Sequence, residues 1–271
     1  MAHYICVTCG TQFADTSSAP EHCPICEDER QYVGHDGQQW TTLPELSKDH
    51  HNCIDQQEDG LYGIGTEPKF AIGQRALLIQ SDQGNVLWDC ISLIDDQTIE
   101  QVDRLGGVDA IAISHPHYYA SAVEWAKAFD ATVYLHAADR QWMMRPDPTI
   151  KFWQGNTLEL QKEITLIKAG GHFEGGTVCH LASGTEGLGT LLTGDVIQVV
   201  ADKRWVSFMY SYPNLIPLPV SKVRQIAKAV EPYAYDLIYG AWWDEIVATD
   251  AKNCVKRSAE RYIKALGNVA E

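Results

Sequence analysis

The sequence predicts an α+β chain in which a small metal-held ribbon precedes a layered set of strands and helices. Three observations carry that expectation. Four of the eight cysteines fall into two C-x2-C pairs near the N-terminus. From about residue 75 onward, short apolar runs bounded by turn residues alternate with amphipathic stretches of helical period. Histidines and an aspartate stand at the ends of several of these runs, beside glycines.

The pairs are "CVTC" (Cys6, Cys9) and "CPIC" (Cys23, Cys26), thirteen residues apart, a spacing at which two tight turns bring four thiolates around one tetrahedral ion. Gly10 and Pro24 suit the turns, whose amides point at the sulfurs. Zinc is the expected ion, and iron in a rubredoxin-like site has the same ligand requirement. Free thiols or two disulfides are the alternative. A module of residues 1–45 buries little core, so its ion should supply most of its folding free energy, of order 10 kcal/mol. Residues 1–50 hold two basic against eight acidic residues, which disfavours a ribbon that reads nucleic acid.

The stretch "YVGHDGQQWTTLPELSKDHHN" reads as a connector, with Trp40 and Leu43 able to pack on the larger module, residues 46–271. His50, His51 and Cys53 read as surface residues. Strands are expected at 75–81, 85–91, 108–114, 131–136, 164–169, 177–183 and 189–200, with a turn at "SDQGN". Helices are expected at 96–105, closed by Gly106 and Gly107, at 121–129, at 221–231 with Ser221 as cap, and at 249–266 with Thr249 or Asp250 as cap and Gly267 as stop. Hairpins mixed with strand–helix–strand units point to two sheets or layers rather than one parallel sheet.

Composition narrows the function. A formal net charge of −15 and a pI near 5.0 repel phosphate backbones, and no Lys/Arg cluster offsets them, so nucleic acid is not the expected partner. No run approaches the roughly 18 apolar residues of a spanning helix, and "MAHYICVTCG" lacks a signal core, so the expectation is a cytoplasmic chain without a membrane partner.

Beyond the ribbon, His115 and His117 in "AISHPHYYASAVEW" sit one residue apart at a strand end, where alternation would point both to one side and Pro116 stiffens the loop. His172 stands in "AGGHFEGGT", a glycine-rich backbone able to approach an ion closely, and Asp195 ends the strand "LLTGDV". Three imidazoles and one carboxylate suit zinc, iron or manganese.

At these residues the sequence resembles the metallo-β-lactamase superfamily, and the N-terminal ribbon resembles rubredoxin-like extensions of some members. The resemblance runs from about residue 58 onward, through "NVLWDC", "SHPHYYA", "GGHFEGGT" and "LLTGDV". It implies an αββα sandwich with metal at the edge between its sheets and a metal-dependent hydrolytic activity. His115, His117, His172 and Asp195 then match the first metal position of hydrolases resembling glyoxalase II. Where the family carries Asp and His for a second position this chain has Tyr119 and Ala120, and near "IYGAWWDE" a final His gives way to Ala241 or Trp242. Losses confined to one position imply a retained mononuclear centre holding one Zn, Fe or Mn.

The expected activity is hydrolysis of a small ester, thioester or similar substrate, with Asp195 and Tyr119 as catalytic residues, Tyr119 donating a proton or filling vacated space. Tyr118, Tyr210, Tyr212 and Trp242 are candidates for a substrate wall, or for loop anchors or a homo-oligomer contact. Asp89 is implied as a partner that orients a ligating His, or as a turn cap. His136, Cys90, Cys179 and Cys254 read as core, and Glu174 as exposed. An iron-dependent oxidoreductase and a non-enzymatic binding protein are the alternatives on the same fold.

Overall fold

The computed structural model describes residues 1–267. Two compact units divide the chain, the first formed by residues 1–135 and 139–153, the second by 136–138 and 154 onward. Among the described residues no helix is long and apolar enough to cross a membrane.

The first unit begins with the ribbon. Strands Ile5–Cys6 and Trp40–Thr41 pair antiparallel, and a short helix, Pro24–Glu27, starts on the second cysteine pair with its proline in the first turn. All four cysteines are buried around Ile25, with Phe13, Trp40, Ile72, Trp142 and Met144 packed against them. The Trp40 ring meets Phe13 edge-on at 4.8 Å between centroids, so this tryptophan completes the ribbon's own core.

Seven strands follow in sequential order across one sheet: β1 (His51–Glu58), β2 (Leu61–Glu67), β3 (Ala76–Ile79), β4 (Val86–Trp88), β5 (Ala110–Ala112), β6 (Thr132–His136) and β7 (Ile150–Trp153). β1 to β4 pair antiparallel, and β4, β5 and β6 run parallel through crossovers that contain α1 (Asp96–Arg104) and α2 (Ala122–Phe129). The short apolar strands β3 to β5 are buried throughout, and β4 and β5, which take part in the parallel pairing, carry the continuous apolar runs that such pairing favours.

The hairpin β1–β2 occupies the end of the expected connector and the residues after it. Its edge strand is largely polar and half exposed, which hides the strand in a search for apolar runs. Buried Asn52 ties it down, donating to the Leu93 carbonyl and Thr98 Oγ1, both at 3.0 Å, and accepting from Thr66 Oγ1 at 2.8 Å. Asp95 caps α1 through the Thr98 amide at 2.8 Å, and the expected stop holds, with the Gly107 amide returning to Val102.

The second unit carries a six-stranded sheet, β8 (Thr157–Gln161), β9 (Ile164–Lys168), β10 (Thr177–Leu181), β11 (Thr190–Gly194), β12 (Leu237–Gly240) and β13 (Ile246–Val247), all antiparallel neighbours except the parallel pair β11–β12. Helices α3 (Val220–Val230) and α4 (Ala251–Ala265) bury Val223, Ile226 and Val230 and Cys254, Val255 and Ala259 in one cluster with Phe208 and Ile238. Each valine, isoleucine or phenylalanine among them contributes roughly 1.5–3 kcal/mol when fully buried.

Two expectations need correction here. The first turn of α3 starts on the Pro219 carbonyl, which accepts from Lys222 and Val223, so Ser221 lies inside the helix and does not cap it. The run 189–200 is broken after Gly194, where the Val196 amide returns to Thr193 and the Thr193 hydroxyl donates to the Ile197 carbonyl at 2.7 Å. Residues Gln198–Val199 then pair separately with Val206–Ser207.

Candidate metal centre

Each ligand is set by its own local device. His115 is extended, and Pro116–Tyr118 forms a single 3-10 turn closed by the Tyr118 amide on the His115 carbonyl at 3.1 Å. Strand alternation was the expected reason for the two histidines to meet; β5 ends at Ala112, and the proline-started turn brings the rings to 5.2 Å between centroids, nearly perpendicular. Tyr118, fully buried, lies against His115 at 4.3 Å.

The His172 loop closes on itself, both Ala169 and Gly170 donating to the Gly176 carbonyl at 2.8 Å. A Cβ on Gly176 would meet the Gly170 carbonyl oxygen at 2.7 Å, so the loop shape requires glycine there. His172 Nδ1 faces the Met209 carbonyl at 3.2 Å. A carbonyl only accepts, so Nδ1 carries the hydrogen and Nε2 keeps its lone pair, the form in which imidazole ligates a metal. Asp195 sits on the turn after β11, where the Tyr212 phenol donates to its main-chain carbonyl at 2.6 Å. The Tyr212 ring lies 5.6 Å from His172, and burial, then the Asp195 carboxylate, holds its phenol well above the ordinary value.

One ligating atom from each of His115, His117, His172 and Asp195 lies within 4.8 Å of the others, and all four residues are buried. Three nitrogens and one oxygen at that spacing fit a divalent transition ion. The thiols of Cys6, Cys9, Cys23 and Cys26 form the second such group, with Cys6 and Cys26 sulfurs 3.5 Å apart and Cys9 and Cys23 sulfurs 3.7 Å apart. The Cys6 thiol is drawn below its ordinary value by its sulfur neighbours and Cys9 is driven above it. Four thiols therefore do not ionise together without a cation.

Around the first group, Asp89 is buried in the left-handed region at φ 60 and its carboxylate accepts the Ser114 amide at 2.7 Å, while Ser114 Oγ lies 2.9 Å from His115 Nδ1. Burial raises the Asp89 carboxyl to about 7. Because the folded value exceeds the unfolded one, its contribution is fully present below pH about 4 and is lost as pH rises to about 7, up to about 4 kcal/mol in all. Asp89→Asn, which keeps the acceptor, should flatten that part of the curve. Urea midpoints of both metal-free chains between pH 5 and 8 check it; parallel curves would reject the assignment.

Tyr119 is buried, and desolvation followed by the Asp139 charge keeps its phenol protonated. It lines a small cavity with Thr11, Gln12, Ala120, Ala122, Val123, Met143 and Arg145. Tyr210 packs half-buried on the second unit's core, and Trp242 is half-buried with its carbonyl accepting the Glu245 amide. His136 lies outside the metal groups, bonded to the Gly155 carbonyl and the Ala138 amide, and Glu174 is exposed and paired with Lys222 and Lys168. His50 bonds the Leu46 carbonyl and His51 is exposed. Sequence reasoning missed Ser114, Gln12 and Arg145. Only Ser114, adjacent to His115, stood close enough in the chain to be suspected.

Residues 72–242 match the family model described as Metallo-beta-lactamase superfamily. The chain is 53% identical over 270 residues to the uncharacterized protein YmaE of Bacillus subtilis (strain 168), covering 99% of this chain and 98% of that protein. Among solved structures it is similar to VMB-1, with a TM-score of 0.59 at 15% identity over 80% of this chain and 99% of that one. It is also similar to the mono-zinc form of the metallo-beta-lactamase FIM-1 from Pseudomonas aeruginosa, with a TM-score of 0.57 at 13% identity over 78% and 95%. The fold, the match over most of the chain and the His/Asp group agree: this chain belongs to the metallo-beta-lactamase superfamily.

Proposed function

We propose that this protein is a metal-dependent hydrolase that holds one Zn, Fe or Mn ion on His115, His117, His172 and Asp195 and acts on a small ester, thioester or similar substrate. The convergence of those four buried ligand atoms within 4.8 Å supports the reading most directly. The chemistry such an ion supplies is Lewis acidity, which polarises a carbonyl oxygen and lowers the pKa of water toward about 7.

The residues around it have separate tasks. Met209 fixes the His172 tautomer, Tyr212 braces Asp195 through its backbone, and Tyr118 covers the His115 ring and keeps water from it. To Tyr119, which follows the His115–His117 turn and stays protonated at neutral pH, we assign the donation of a proton to a leaving oxygen or sulfur. A phenol and a methyl group at positions 119 and 120 supply no metal ligand of the carboxylate–imidazole kind, which favours a single ion. The mono-zinc form of FIM-1 supports a one-ion centre on this fold. Grouped thiols stay reduced in the cytoplasm, where we place the protein.

The test is a panel of ester, thioester, lactone and phosphodiester substrates on protein of measured metal content. The expected result is turnover of at least one class, lost on chelation, restored by one equivalent, and lowered on the order of 10²-fold in kcat by Tyr119→Phe. A fully loaded protein inert toward every class would overturn the reading.

A further inference from the structure

Inside the first unit the cysteine ribbon reaches the segment after His117 in two ways, through Ser92 to Ser121 and directly at Ala120. Gly10, which follows Cys9, accepts the Ser92 hydroxyl on its carbonyl at 2.8 Å. Its φ is +81, and a Cβ there would meet that same hydroxyl at 2.6 Å, so the contact requires glycine. The Ser92 carbonyl in turn accepts the Ser121 hydroxyl at 2.7 Å, at the start of α2. Two residues along the ribbon, the Gln12 amide donates to the Ala120 carbonyl at 3.0 Å.

The side chain of Gln12 strengthens this second attachment. Arg145 Nη1 donates to Gln12 Oε1 and to Glu124 Oε1, the latter at 2.6 Å, and Gln12 Nε2 reaches the same Glu124 oxygen at 3.4 Å. Gln12 and Arg145 are 3% and 6% exposed, so this cluster works where water screens little. Its target is strained, because Ala120 has φ +43, a left-handed conformation that disfavours a non-glycine residue. Such a residue stays in place only while its surroundings hold it. The ribbon thus holds Ala120 directly and Ser121 through Ser92, just after the turn that aims His117.

The ribbon side of the grip depends on the knuckle. The Cys6 amide donates to the Thr11 carbonyl at 3.0 Å and the Gly10 amide to the Cys6 carbonyl at 2.8 Å, so Gly10 to Gln12 take their course from the segment that Cys6 and Cys9 anchor. A ribbon of this size is folded by its ion. We infer that the cysteine ribbon is a positioning device for the His115–His117 turn, and that Gln12 and Arg145 are the positioning residues through which ion occupancy in the ribbon sets metal affinity at the histidine site. The inference rests on the one-ion reading proposed above and adds its regulation.

The test uses the full chain, metal-free, loaded with one equivalent of zinc and then titrated with Co2+. Ligand-field bands of a nitrogen–oxygen site report the histidine group, and thiolate-to-cobalt charge-transfer bands, which should be absent, confirm that zinc occupies the ribbon. Gln12→Ala and Arg145→Met should keep the ribbon ion yet bind Co2+ at the histidine site roughly tenfold more weakly, as loss of an outer support of a metal site does. Their ligand-field spectrum should shift, which a loss of stability alone would not cause. Arg145→Lys, which keeps a donor for Gln12 and Glu124, should recover most of the affinity. If Arg145→Met does not fold, Gln12→Ala carries the measurement. Unchanged cobalt affinity and spectrum in the zinc-loaded variants would overturn the inference alone. An unaltered protein that shows no nitrogen–oxygen cobalt site would overturn the one-ion reading, and the inference with it.

Discussion

A chain carrying His115→Ala is expected to bind one metal equivalent, held by the ribbon cysteines, where the one-ion reading predicts two for the unaltered protein. Deleting one of three imidazoles removes a direct ligand, and the affinity loss should exceed the 10- to 100-fold that follows from losing an outer partner. The substitution also strips the Ser114 hydroxyl of its ring partner and opens space against the Tyr118 ring. Elemental analysis per chain after dialysis against a mild chelator reads the result. Coupling through Gln12 does not spoil it, because a reciprocal weakening of about tenfold leaves a tetrathiolate site saturated. Three equivalents in the unaltered protein would show that a second position survives without the residues lost at 119 and 120.

The larger effect on stability belongs to the ribbon. Cys23→Ser should release the ribbon ion and unfold the surrounding segment, because the four cysteines and Ile25 are the buried centre of that core and the ion contributes of order 10 kcal/mol to its folding. Without a cation, buried thiols that oppose one another's ionisation replace a set of four thiolates sharing one divalent ion. Limited proteolysis should then cut within residues 1–45, and the thermal midpoint should fall. A ribbon that resists protease and melts as before would show that its apolar contacts with Ile72, Trp142 and Met144 suffice to hold it.

What the sequence by itself determined is the set of local signals. Two C-x2-C pairs, a His-x-His, a glycine-framed histidine and a Gly-Asp strand end each lie within a few residues, and each marks a backbone shape or donor type that short-range physics dictates. The apolar runs of β3 to β5 and the glycine stop of α1 are readable for the same reason, since burial and left-handed φ restrict residue type locally.

Tertiary structure decided the rest. The polar edge strand His51–Glu58 is a strand only because Leu61–Glu67 pairs with it, and its own residues carry no alternation strong enough to say so. That His117 is aimed by a 3-10 turn, and that its neighbour Ala120 is held by Gln12 from 108 positions away, depends on groups present at almost every residue, a backbone amide and a carbonyl. Such groups leave no mark in composition or spacing; only the folded chain selects which amide meets which carbonyl.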